Sequence, residues 1–343
     1  MGGVCSLVHT AMARAGRRLM ECADNCRACL FNTAHTRRWG AEENDHEMQL
    51  LVQPRDGIAP LIAAIKKARK SIELVIFRFD RKDIEQALQA AVGRGVQVRA
   101  LIAHTNQDGA GRLRKLEQRL LGAGVTVDRT GDDFIRYHGK FIVVDRTKLL
   151  VLGFNYTLID ITRSRSFGII TNNRKAVQEA VKLFEADCAR QPYVPGGSLV
   201  ISPANSRAQL SAFISKAKKQ LLIYDPKVSD PRIIKLLKER AKAGVDIRII
   251  GKVSSRGEDL VHQKYPGHRL HVRAIVRDGT HAFVGSLSLR RLELDKRREV
   301  GLFVQGAAIV KELIATFEAD WAETGLGRKE EKAGETAAVA AEA

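Results

Sequence analysis

Two histidines in the chain are each followed two residues later by a cation, and five residues after that by an aspartate. The segments are His138-Gly-Lys140-Phe-Ile-Val-Val-Asp145 and His271-Val-Arg273-Ala-Ile-Val-Arg-Asp278. Ten residues past each aspartate stands a polar amide or hydroxyl, Asn155 in Gly153-Phe-Asn155 and Ser288 in Gly285-Ser286-Leu-Ser288. On a strand, residues two apart share a face, so His138 projects with Lys140 and His271 with Arg273. A histidine beside a cation is a poor metal ligand but suits a phosphate. The cation neutralises the equatorial oxygens while the imidazole attacks or protonates.

The elements that must position these side chains come in two copies. Ile65-Lys-Lys-Ala-Arg-Lys70 matches Ile214-Ser-Lys-Ala-Lys-Lys219, and Gly95-Val-Gln-Val-Arg99 matches Gly244-Val-Asp-Ile-Arg248, both 149 residues apart. The histidine segments are 133 apart, as are Phe167-Gly-Ile and Val300-Gly-Leu, so the second copy is 16 residues shorter, with the loss between Ile102 and His138. A fixed offset of this kind marks a duplicated fold. Each copy reads as a helix (about 58–70, then 207–219), an apolar strand, and a second helix (about 82–93, then 231–242) ending at Gly95 or Gly244. A further strand follows each glycine. Strand-rich segments then surround the motifs, each closed by a helix (175–190, then 307–321), and Gln191-Pro-Tyr-Val-Pro-Gly-Gly197 reads as the joint. Strand–helix–strand order with continuous apolar strands predicts parallel pairing with helices on both faces. Two such halves would set the histidines against each other across a pseudo-two-fold, one as nucleophile and one as acid.

With these motifs in place the chain resembles the phospholipase D superfamily, whose paired HxKxxxxD…GSxN signatures they match from about residue 50 to about 325. The resemblance implies an α/β fold, a duplicated phospholipase D-like α/β sandwich of two pseudo-symmetric halves. Each half is expected to hold a mixed, largely parallel sheet flanked by helices. It also implies one active site between the halves that cleaves phosphodiesters through a covalent phosphohistidine, without a metal or other cofactor. In that reading His138 is the nucleophile and His271 protonates the leaving group and then deprotonates the acceptor. Lys140, Arg273, Asn155, Ser286 and Ser288 hold the phosphoryl oxygens, and Asp145 and Asp278 close the turns after their strands.

The sequence departs from the family pattern at four points. Arg273 replaces a lysine, Ser288 an asparagine, and Leu152 the first glycine of the first motif. The carboxylate that usually orients the opposing histidine is present once, as Glu299 in Arg297-Arg298-Glu299, whereas the first copy has Ser166. Glu299 is therefore expected to orient His138, leaving His271 without a carboxylate and the acid step weakened.

Composition bounds the partner. With 343 residues, 45% apolar, the chain is long enough for two ordinary domains, and its net charge of +18 points to phosphate-rich partners. The excess is even, +10 over 48–195 and +9 over 196–327, which suits a shared anion site better than a basic tail. Those ranges are the expected first and second halves, flanked by a poorly ordered extension, 1–47, and a disordered tail, 328–343. Four of five cysteines fall in the extension, and Cys22-x3-Cys26-x2-Cys29 with His35 has metal-ligand spacing, weighed against a loosely ordered leader. The absence of a disulfide framework and of any long apolar run predicts a cytoplasmic protein, with peripheral contact at an anionic membrane. His104, His262, His268 and His281 have no matched partner and read as surface or loop residues, and the lysine clusters at 66–70 and 216–219 as solvated helix faces. The favoured substrate is a phospholipid, hydrolysed or transferred at its headgroup. A nuclease of the same superfamily is less favoured because aromatics are few, and a degraded phosphate-binding protein is the third reading.

Overall fold

The computed structural model describes residues 48–105 and 110–342. The cysteine-bearing extension expected at 1–47 lies outside the described residues.

In the first copy β1 (Met48–Gln53) leads to α1 (Ala59–Lys67), β2 (Ser71–Ile76), α2 (Lys82–Gly93) and β3 (Gln97–Ile102). Then come α3 (Ala110–Gly122), β4 (Thr126–Arg129), β5 (Arg136–Tyr137), β6 (Phe141–Val144), β7 (Lys148–Leu152), α4 (Leu158–Thr162), β8 (Ser164–Thr171) and α5 (Arg174–Ala189). The second copy runs β9 (Val200–Ser202), α6 (Ser206–Ser215), β10 (Gln220–Val228), α7 (Pro231–Lys242), β11 (Asp246–Val253), β12 (His262–Gln263) and β13 (Arg269–Leu270). It closes with β14 (Ala274–Arg277), β15 (His281–Gly285), α8 (Arg291–Asp295), β16 (Arg297–Gln305) and α9 (Ala307–Ala322). The 16 residues missing from the second copy correspond to α3, whose place is taken by a single 3₁₀ turn at Ser255–Gly257. From 325 the chain forms α10 (Gly325–Glu342), where a disordered tail was expected. Alanine, glutamate and lysine favour helix, Leu326 packs against the core, and Trp321 Nε1 donates to Glu330 Oε2 at 3.0 Å.

Two eight-stranded mixed sheets result, ordered β1-β8-β7-β6-β2-β3-β4 with β13 beside β8, and β12-β11-β10-β14-β15-β16-β5 with β9 beside β16. Within each half, parallel pairing is confined to β2-β3-β4 and β10-β11-β12, less than the largely parallel sheet expected. The physical reason is connection length. Residues 145–147 between β6 and β7 permit only a hairpin, whereas a parallel return needs a crossover. Asp145 and Arg146 turn that hairpin at φ +52° and +53°, and Asp278 and Gly279 repeat it at +52° and +69°, the left-handed pair such a tight turn requires. Each aspartate then accepts three backbone N–H groups, from Arg69, Lys70 and Ser71 or from Lys218, Lys219 and Gln220.

Apolar faces account for the layering. α1, α2 and α3 pack on one face of the first sheet through Leu61, Ile65, Leu88 and Leu116, and α6 and α7 on the second through Leu210, Ile214 and Leu237. The remaining faces share one core with α5 and α9, in which Val143, Val151 and Leu183 join Val276, Leu302 and Leu313.

The two copies also exchange strands. β5 of the first copy pairs in parallel with β16 of the second (Arg136 opposite Arg297, Tyr137 opposite Arg298). Reciprocally, β13 of the second pairs with β8 of the first (Arg269 opposite Ser164, Leu270 opposite Arg165). Ion pairs repeat the exchange. Arg165 forks onto Asp320 of α9 at 2.7 and 2.8 Å, and Arg298 meets Asp187 of α5 at 3.0 Å.

Candidate active site

The strand exchange carries each histidine into the opposite copy. His138 N donates to Arg298 O at 2.7 Å and His271 N to Arg165 O at 3.1 Å, extending both short ladders by one residue. His138 thereby falls beside Glu299, with Nδ1 2.8 Å from Oε2. With Nδ1–H given to the carboxylate, the lone pair of Nε2 is left facing the cavity. Lys140 Nζ donates to His138 O at 2.6 Å and lies 2.9 Å from Nδ1 and 3.0 Å from Nε2, and Phe77 packs its ring against the imidazole at 4.5 Å.

His271 has a carboxylate as well, which corrects the expectation that it lacks one. Ser166 donates its hydroxyl to His271 O at 2.8 Å and supplies no charge. Asp160, from α4, stands 3.5 Å from His271 Nδ1 instead. The same carboxylate accepts Asn155 N and Nδ2 at 3.0 and 2.6 Å and pairs with Arg269 at 2.5 Å. The signal for Asp160 is present in the sequence. It lies 133 residues before Glu293, each five residues past its motif's Asn155 or Ser288. Glu293 is spent differently, on Arg297 at 2.8 Å.

The cations are buried with the histidines. Lys140 is fully enclosed, and Arg273 Nε donates to Ser288 Oγ at 3.1 Å while its Nη1 has no partner. Beneath them lies Asp225, also unanticipated, which accepts Leu289 N at 2.6 Å and is pushed up to about 6 by burial. Ser286 does not point a free hydroxyl at the cavity. Its Oγ exchanges hydrogen bonds with Val300 N and O at 3.2 Å, tying down the strand that bears Glu299. Asn155 Oδ1 and Glu299 Oε1 are buried without hydrogen-bond partners, and Glu299 Oε1 stands 3.8 Å from Arg297 Nη1.

Electrostatics follow from this crowding. Burial, then Lys140 and Arg273, hold His138 well below the usual imidazole range. Burial and Arg273 do the same to His271, against the pull of Asp160. Burial lowers the Lys140 ammonium to about 7 and raises the Glu299 carboxyl. Arg273 acts on His138 and Lys140 on His271, so the two motifs share one electrostatic site. An anion placed among these cations would relieve all of them and raise both imidazoles.

A duplicated α/β fold whose paired His–cation strands meet across an internal two-fold defines the phospholipase D superfamily. Within it, residues 61–188 and 210–321 match the family described as "Cardiolipin synthase, PLD-like domain", and the chain belongs to that family. Mitochondrial cardiolipin hydrolase of Homo sapiens is 28% identical over 173 residues, covering 49% of this chain and 64% of the relative. That of Danio rerio is 31% identical over 137 residues, covering 37% and 56%. The matched region thus spans less than two thirds of these relatives. Among solved structures, a polyphosphate kinase of Porphyromonas gingivalis superposes with a TM-score of 0.67 at 16% identity, over 79% of this chain and 46% of that one. A phosphatidylserine synthase of Haemophilus influenzae Rd KW20 superposes at 0.61 and 12% identity, over 80% and 85%. These two likenesses concern the fold.

Proposed function

We propose that the chain is a phosphodiesterase of the phospholipase D type that hydrolyses or transfers the headgroup of a phospholipid through a phosphohistidine. The observation that carries this reading is the hydrogen bond from His138 to a carboxylate of the other copy, with the Lys140 ammonium beside the same imidazole. His138 Nε2 attacks phosphorus and the P–O bond to the leaving alcohol breaks, while His271 gives that oxygen a proton. Water or an acceptor alcohol then attacks the phosphohistidine, His271 takes its proton, and the P–N bond breaks. Lys140 and Arg273 neutralise the phosphoryl oxygens, Ser288 holds the Arg273 fork, and Asn155 ties Asp160 in place.

A lipid substrate is supported by the names of the curated relatives, and three large apolar side chains next in sequence to site strands and helices are exposed. Leu158 and Ile159 precede Asp160 on α4, and Ile135 precedes β5. No described helix is long and apolar enough to cross a membrane. The test is headgroup release from phosphatidylglycerol vesicles by wild type and His138→Ala, with and without EDTA, alongside single-stranded DNA. Release that survives EDTA, is lost in the variant and leaves labelled phosphate on the wild-type protein is the expected result. Cleavage of DNA but not lipid, with the same dependence on His138, would make the protein a nuclease.

A further inference from the structure

On the cavity side of the β5–β16 ladder, residues two apart alternate in a fixed order. Lys140 is deepest, His138 stands opposite Glu299, and one step further out Arg136 stands directly opposite Arg297. Like charges directly opposite on neighbouring strands repel, and the carboxylates at this rung, Glu293 and Glu299, are both within ion-pair distance of Arg297, not of Arg136. Among the described residues Arg136 makes no hydrogen bond or ion pair, and it is half-buried. Arg297 is 8% exposed, gives Nη1 to Glu293 and stands 3.8 Å from Glu299 Oε1, while its buried Nε has no hydrogen-bond partner. Burial and the charge of Arg297 both depress the Arg136 guanidinium.

The duplication supplies the control. At the equivalent rung of the other ladder Arg269 stands opposite Ser164, and that arginine is satisfied by Asp160 at 2.5 Å and by Ser164 Oγ at 3.1 Å. The second copy's strand has exchanged a hydroxyl for a guanidinium. The resulting pair of cations exists only on the side of His138.

We infer that Arg136 and Arg297 form a second anion subsite, which takes a further phosphate carried by the substrate beyond the scissile phosphodiester. Two residues of strand advance about 6.6 Å, so the subsite lies that far outward from His138. A second phosphate at that distance from the reacting phosphorus is joined to it by a three-carbon polyol. The inference deepens the proposed function by making the favoured lipid one whose headgroup ends in phosphate. The choice of a lipid over a polynucleotide of similar phosphate spacing rests on the proposed function.

Two measurements test it separately from the reaction. By calorimetry, propane-1,3-diol bisphosphate is expected to bind wild type at least tenfold more tightly than propyl phosphate. Arg136→Gln should erase that preference and Arg136→Lys should restore part of it. Equal binding of both ligands to wild type overturns the subsite whether or not any lipid is turned over. In turnover, Arg136→Gln should raise KM for phosphatidylglycerol phosphate about tenfold while leaving phosphatidylglycerol unchanged, and an equal loss on both overturns the specificity role. If the binding preference is present but neither lipid reacts, the subsite stands and the lipid-enzyme reading fails. Tighter binding of thymidine 3′,5′-bisphosphate than of the propanediol compound would overturn the lipid as source of the second phosphate.

Discussion

Replacing Asp160 by asparagine separates the acid from the nucleophile. Burial alone would raise this carboxyl, but the charge of His271, the Asn155 donors and Arg269 outweigh it and bring it down to about 2, from 3.8. A carboxylate with a depressed folded pKa stabilises the protein above its unfolded value, and that stability is lost as pH falls through the folded one. The shift corresponds to about 2 kcal/mol near neutral pH. Asp160→Asn is therefore expected to lose about that much stability in urea at pH 7, with the gap to wild type closing between about pH 4 and pH 2. Catalytically, His271 loses the anion that favours its protonated form. With an alkyl leaving group, as in a lipid headgroup, kcat should fall about 100-fold, within the usual range for a general acid. A p-nitrophenyl ester needs no protonation to depart, so its first-step rate should hold. Glu299→Gln should slow both substrates alike, because the nucleophile is used with each. Equal loss on alkyl and aryl esters in Asp160→Asn would refute the assignment of Asp160 to the acid.

Three further outcomes follow from the same geometry. Lys140 titrates near 7 because burial outweighs Glu299, so its charged form costs the empty protein up to about 5 kcal/mol against an ordinary lysine. Lys140→Met should raise Tm at pH 6 while abolishing turnover, and the Tm gap should shrink as pH rises from 7 toward 10.5, where the unfolded chain releases the same proton. Asp145→Ala and Asp278→Ala each strip an acceptor from three backbone N–H groups, and should cost about 2 kcal/mol in denaturant midpoint without changing kcat of the folded fraction. Arg165→Met should be costlier, about 3 kcal/mol, since it abandons a buried Asp320 that also accepts Tyr224 Oη at 2.5 Å; urea denaturation measures it.

The duplication was readable because its marks are local. Helices expected at 82–93 and 231–242 are observed at Lys82–Gly93 and Pro231–Lys242, each stopped by a glycine at positive φ, Gly95 or Gly244. The pairing of His138 with Glu299 was also accessible, since both belong to recurring strand motifs. What escaped was carried by segments with no periodicity. β5 and β13 are two residues long, too short for alternation to register, yet they exchange between the copies and bring both histidines to their carboxylates. Asp160 was missed because its charge comes from a five-residue helix rather than from the strand position that Ser166 occupies. Arg136 and Arg297 are each an ordinary arginine in a basic chain until the register sets one opposite the other.

The two carboxylates reach their histidines by different routes, and the difference supports the proposed division of labour. Glu299 is fixed on a central strand, its N–H held by Ser202 Oγ at 3.0 Å, and it grips His138 at 2.8 Å. A nucleophile benefits from such a grip, because one tautomer with the lone pair on Nε2 is all that it needs. Asp160 sits at 3.5 Å from His271 and divides its oxygens among Asn155, Arg269 and the imidazole. A group that must hold a proton in one step and lack it in the next is better served by that looser contact, which favours the charged form without locking it. Substituting a carboxylate at Ser166 would give His271 the tight partner that His138 has. By the same reasoning it would make the proton harder to surrender, slowing departure of the headgroup rather than restoring a lost function.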